Sequence, residues 1–134
     1  MLFELNHLPA SILDCEASEL HERLPGPTLI HLPGRIREPL FITALAHGNE
    51  DTGWVAAREL LRLHAGRELP RALSLLIGNV HAARENRRFL EGQLDFNRVW
   101  ADSPENHDSP ERSVAREVEQ KMKARGVFAA VDIH

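Results

Sequence analysis

The feature that most constrains this chain is a pair of apolar runs, PLFITALAH (residues 39–47) and RALSLLIGN (71–79), with a helical pattern between them. The first is long, rich in strand formers and without polar alternation, so it reads as a strand buried on both faces. The second reads as another buried strand. GNEDTG, a polar loop bounded by glycines, follows the first run. In WVAARELLRLHAG (54–66), Trp54, Ala57, Leu61 and His64 then recur at helical spacing. Asp51 or Thr52 can cap the start of that helix and Gly66 can end it.

The flanking segments continue the alternation. SILDCEASELHERL (11–24) predicts a short helix ended by Pro25-Gly26-Pro27, and TLIHL (28–32) a short strand. Pro33-Gly34 and the charged run Arg35 to Glu38 read as a turn. Residues 80–91 read as irregular or weakly helical, and ADSPENHDS (101–109) as an acidic surface loop. Ser109 caps a helix with Pro110 at its first position and Glu111 in its first turn. Val114, Val118 and Met122 form its apolar stripe, and Gly126 closes it. VFAAVDIH (127–134) is a last strand. Strands alternating with helices predict an α/β fold, three layers deep, around a mostly parallel mixed sheet. With no internal repeat or linker, residues 1–134 read as a single domain.

Composition narrows the function classes. A hydrophobic content of 43% is that of a packed domain, and a net charge of -4 argues against a nucleic-acid partner. Arg84, Arg87 and Arg88 form a small basic cluster that, by itself, reads as a solvated face. Cys15 is the sole cysteine, which fits a reducing compartment. The N-terminus lacks the pattern of a signal peptide, and no run approaches the ~20 apolar residues of a membrane span. The expectation is a soluble cytoplasmic protein with no membrane partner.

In open α/β sheets, ligands bind beyond the carboxyl ends of the strands. His47 and Glu50 follow one predicted strand, Asn79 follows another and His134 ends the last. Catalytic zinc commonly takes two histidines and one carboxylate, with a fourth position left for water. His47, Glu50 and His134 form such a set, and Gly48 lets the backbone bend between the first two. Strand alternation puts Asp132 on the same face as His134, where it can accept a ring N–H and orient the imidazole. On residue types alone, Asp132 and His134 equally describe a solvated strand end. LDFNR (94–98) holds Asn97 and Arg98 side by side, suited to gripping a carboxylate but equally the makings of an ordinary turn. The other histidines form no second set, and Cys15 has no catalytic-looking neighbour.

The ordered set AHGNEDTG (46–53), IGNVHAARENRRF (77–89), LDFNR (94–98) and VDIH (131–134) resembles the zinc carboxypeptidase superfamily, in its succinylglutamate desuccinylase/aspartoacylase branch. The likeness runs from about Thr28 to His134. It implies one Zn2+ on His47, Glu50 and His134. It implies that Arg88 polarises the scissile carbonyl, with Arg87 as the alternative. It implies that Asn97 and Arg98 bind the substrate's carboxylate end and that Asp132 is the carboxylate behind a zinc ligand. Val80 stands where the family usually has proline, and Phe96 where it usually has leucine. In the family a glutamate general base and further strands lie downstream of the position of His134. The expectation is therefore the N-terminal part of a hydrolase domain cleaving an amide or ester of an N-acyl amino acid or peptide-like substrate. The alternative is a metal-binding or ligand-binding fragment without turnover. An exposed sheet edge that pairs with a second copy is expected as well.

Overall fold

A computed structural model describes all residues, Met1–His134. Five strands form one mixed sheet: β1 (Phe3–Leu5), β2 (Thr28–Leu32), β3 (Gly34–Ala44), β4 (Leu69–Ile77) and β5 (Ala129–Asp132). Their spatial order is β1-β2-β4-β3-β5. Only β2 and β4 pair antiparallel; the other three pairings are parallel. The helices are α1 (Thr52–Leu63), α2 (Val80–Arg84) and α3 (Pro110–Arg125).

Alternation along each strand sends residues to two separate cores. Ile30, Ile42, Ala44, Leu75 and Ile77 pack with Trp54, Ala57 and Leu61 of α1 and with Leu20 and Leu24 of the N-terminal segment. On the other face Leu29, Phe41 and Leu76 pack with Val114, Val118 and Met122 of α3. Two helical layers therefore enclose the sheet, as the alternating pattern requires. The α3 face also carries a buried polar group: His31 bonds Ser74 Oγ through Nδ1 (2.8 Å) and Glu4 through Nε2 (2.9 Å). No helix is long and apolar enough to cross a membrane.

Several boundaries differ from the sequence expectation. Residues 11–24 form two 3-10 segments, Ile12–Asp14 and Ala17–Glu22, rather than one helix. The backbone is extended at Cys15 (ψ 137°) and Glu16 (ψ 164°), and Glu16 and Glu19 cap each other's backbone at the start of the second segment, so the helix is broken in two there. Residues 35–38 are strand, not turn. They are the solvent-exposed start of β3, held by backbone pairing with Leu69 and Arg71 rather than by an apolar face. β1 was not expected; three residues are too few to show a period, and pairing with Thr28–Ile30 creates it. α1 starts at Thr52 with no side-chain cap from Asp51 and ends at Leu63, before Gly66. At α3 the expected signals hold: Ser109 Oγ accepts from Arg112 N–H, and Gly126 caps the end with φ 63°.

Candidate metal centre

Parallel pairing of β3 with β5 brings two sequence-distant chain ends together. Thr43 is in register with Asp132, and the N–H of Ile133 donates to Thr43 O, so His134 emerges beside the turn that follows Ala44. That turn is sharp. Leu45 has a left-handed φ of 56°, costly for a branched residue. It is held by Gly78 N–H donating to Ala44 O (2.9 Å) and Asn79 N–H donating to Leu45 O (2.7 Å). Gly48 is needed for a different reason from the one expected. Its φ is not positive; instead, a Cβ there would lie 2.2 Å from Ala83 N and 2.3 Å from Ala82 C. The loop thus packs directly on the α2 backbone, fixing His47.

The three expected ligands converge. Nδ1 of His47 lies 2.8 Å from Glu50 Oε2, and Nδ1 of His134 lies 3.1 Å from the same oxygen. Ligand atoms of the three residues all fall within 4.8 Å of one another. Tetrahedral zinc with bonds of ~2.0–2.1 Å separates its donors by about 3.3 Å, so small side-chain adjustments suffice to hold an ion. Both imidazoles are also oriented from behind. Nε2 of His47 faces Asp95 Oδ1 at 2.8 Å, and Nε2 of His134 faces Asp132 Oδ2 at 2.8 Å. Asp132 is itself bonded by the Thr43 hydroxyl. The tautomer that carries its proton on Nε2, toward Asp95 in His47 and toward Asp132 in His134, directs each Nδ1 lone pair at the common centre. Two neutral nitrogens and one carboxylate make a donor set that suits zinc.

Glu50 and Asp95 are held charged. Hydrogen bonding by His47 and His134 lowers the Glu50 pKa against the opposing effect of its burial. Burial of Asp95 opposes ionisation, but hydrogen bonds from His47, the Asn97 N–H and Arg88 outweigh it and bring its pKa to about 2.

The remaining expected residues separate clearly. Arg88 reaches the centre: its guanidinium is 3.1 Å from Asp95 Oδ2 and 3.6 Å from Glu50 Oε1. Arg87 turns away toward Glu85 at 3.9 Å. Asn97 gives its N–H to Asp95 and lines a cavity of about 250 Å³ with Thr43, Trp100 and Asp132. Arg98 is exposed and donates only to Asn97 O, at 3.4 Å, so it contacts none of the three ligands. Asn79 caps α2 and bonds Gln93, bracing the loop that carries Arg88. Asp95 is the participant that sequence reasoning missed. Its signal was the unpaired ring nitrogen that a ligating His47 must satisfy, with an aspartate inside the LDFNR run already singled out.

No curated protein and no solved structure matches the chain. The family model for the succinylglutamate desuccinylase/aspartoacylase catalytic domain matches residues 37–134, a span that includes His47, Glu50, Arg88, Asp95, Asp132 and His134. On that match, covering most of its length and all of the centre just described, the chain belongs to the succinylglutamate desuccinylase/aspartoacylase family.

Proposed function

We propose that this hydrolase-family chain binds one zinc ion through His47, Glu50 and His134 and serves hydrolysis of an amide or ester in an N-acyl amino acid or peptide-like substrate. The observation that carries the reading is the shared direction of the two Nδ1 atoms toward one Glu50 oxygen, with an aspartate behind each ring. When bound, zinc supplies Lewis acidity, polarising an acyl oxygen and making water a competent nucleophile near neutral pH.

The chain's own groups then have distinct tasks. Asp95 and Asp132 hold the imidazoles in the ligating tautomer. Arg88, at the rim of the centre, offers donors to the oxygen on which negative charge develops. Asn97 and Arg98 supply a carboxamide and an exposed, uncommitted guanidinium for the substrate carboxylate. Closing on substrate would require Arg98 to swing from its present position.

A second reading, metal and ligand binding without turnover, is favoured by one observation. Glu50 faces both Nδ1 atoms as a ligand, and Asp95 and Asp132 each lie against a histidine Nε2, so none of the three is free to take a proton from water. Zinc analysis joined to an assay with a panel of N-acyl amino acids separates the readings. One equivalent of zinc with hydrolysis that is lost in His47→Ala supports the first. One equivalent without hydrolysis supports the second, and no bound zinc rejects both.

A further inference from the structure

At the opposite end of the sheet, β3 is irregular in a way that redirects one arginine. Ile36 pairs with Arg71 and Leu40 with Leu73, so four residues of β3 advance against two of β4, and Arg37, Glu38 and Pro39 are displaced from the ladder. Such bulges re-aim side chains. Arg37 lines a cleft of about 480 Å³, together with Arg125 from the end of α3, Asn6 and His31. This cleft is one domain length from the metal centre. β3 runs from one to the other, and ten residue steps at ~3.3 Å span roughly 30 Å.

The groups around it are donors lacking acceptors. Arg37 and Asn6 form no hydrogen bond or ion pair through their side chains, and Arg125 approaches a carboxylate only at 3.9 Å from Glu4. Glu4 is already bound by Lys121 at 2.5 Å and by His31 at 2.9 Å. His31 is committed on both nitrogens, to Ser74 and to Glu4, and so forms a rigid wall. Glu4 is thus taken up by Lys121 and His31, and the guanidinium groups of Arg37 and Arg125 are left without a close carboxylate beside a concave surface.

We propose that this cleft is an oxyanion-binding site, distinct from the metal centre, for a small molecule bearing a phosphate or two or more carboxylates. Arg37 and Arg125, both lining the cleft, offer the anion paired N–H donors, and Asn6 adds a neutral donor. A lone chloride would leave most of these donors unused; the cleft volume and the number of donors suit a multi-oxygen anion.

Calorimetric titration of the chain with inorganic phosphate and, separately, with citrate, at fixed ionic strength, tests this. The expected result is saturable one-site binding of at least one of them, weakened at least tenfold in the Arg37→Gln/Arg125→Gln double variant. Binding should be unchanged in Arg67→Gln and in Arg84→Gln. The anion that binds tighter identifies phosphate or polycarboxylate as the ligand class. Both arginines are exposed, and circular dichroism of the double variant checks that it folds. No saturable binding of either anion, equal binding in the double variant, or loss confined to Arg84→Gln would overturn the proposal.

Discussion

Nε2 of His47 sits 2.8 Å from Asp95 Oδ1, across 48 residues of sequence, and this one contact ties the loop that carries Asn97 to the candidate metal centre. His47 is 2% exposed, so its ring cannot turn to water for a partner. Asp95 is fixed in turn by the Asn97 N–H and by Arg88. The loop and the ligand therefore order each other.

Asp95→Ala removes the acceptor behind His47 while leaving all three metal ligands in place. Loss of such a partner weakens metal affinity by about 10–100-fold. Competition against a chromophoric chelator should read that loss, with circular dichroism unchanged. Affinity equal to wild type would show that Asp95 does not orient the ligand.

Gly48→Ala tests the close approach of the His47 turn to α2. The added Cβ would meet backbone atoms of Ala82 and Ala83 and the Arg87 carbonyl, none of which can rotate aside. Overpacking of this kind costs about 1–3 kcal/mol or more. Thermal melts should fall accordingly, and zinc affinity should fall with them because His47 is displaced.

Trp54 is fully buried in the α1 core, and its indole N–H donates to Cys15 O at 3.0 Å. Trp54→Ala should destabilise by about 3–5 kcal/mol. Trp54→Phe should be much milder, because Cys15 O keeps its bond from Arg58 at 2.9 Å. Denaturant titration of the two variants distinguishes the cavity from the lost hydrogen bond.

Acid sensitivity should depend on Asp102. Hydrogen bonds from Arg116 and His107, and then from Arg112, hold its pKa at about 2, below the ordinary 3.8. As pH falls, the unfolded chain takes up this proton first. The stabilisation is therefore complete above about pH 4 and disappears as pH drops to about 2. The stability gap between wild type and Asp102→Asn should close over that window. Because the group is exposed, added salt should shrink the gap at every pH. A gap independent of pH would contradict the assignment.

The convergence of His47, Glu50 and His134 was legible because these residues sit where strands end. Two apolar runs announce β3 and β4, and the carboxyl edge of a parallel sheet is where His47, Glu50 and His134 had to meet. The second aspartate was not legible from position. Asp95 lies in a stretch without periodicity, and its approach to His47 is set by tertiary braces such as the Asn79–Gln93 bond. Strand residues 34–38 were hidden for a related reason. Three of them, Arg35, Arg37 and Glu38, are charged and exposed, Ile36 is exposed too, and only the neighbouring β4 backbone makes them a strand. The N-terminal helical pattern failed because the backbone turns extended at Cys15 and Glu16, where the Glu16–Glu19 capping box starts a new segment, a choice that apolar spacing does not reveal.

The most direct test is X-ray absorption at the zinc edge on protein carrying one equivalent of metal, compared with His134→Ala. Wild type should show a shell of nitrogen and oxygen donors at ~2.0–2.1 Å with the scattering of two imidazoles, falling to one in the variant. A shell with no imidazole signal, or one unchanged by His134→Ala, would contradict the metal centre described above.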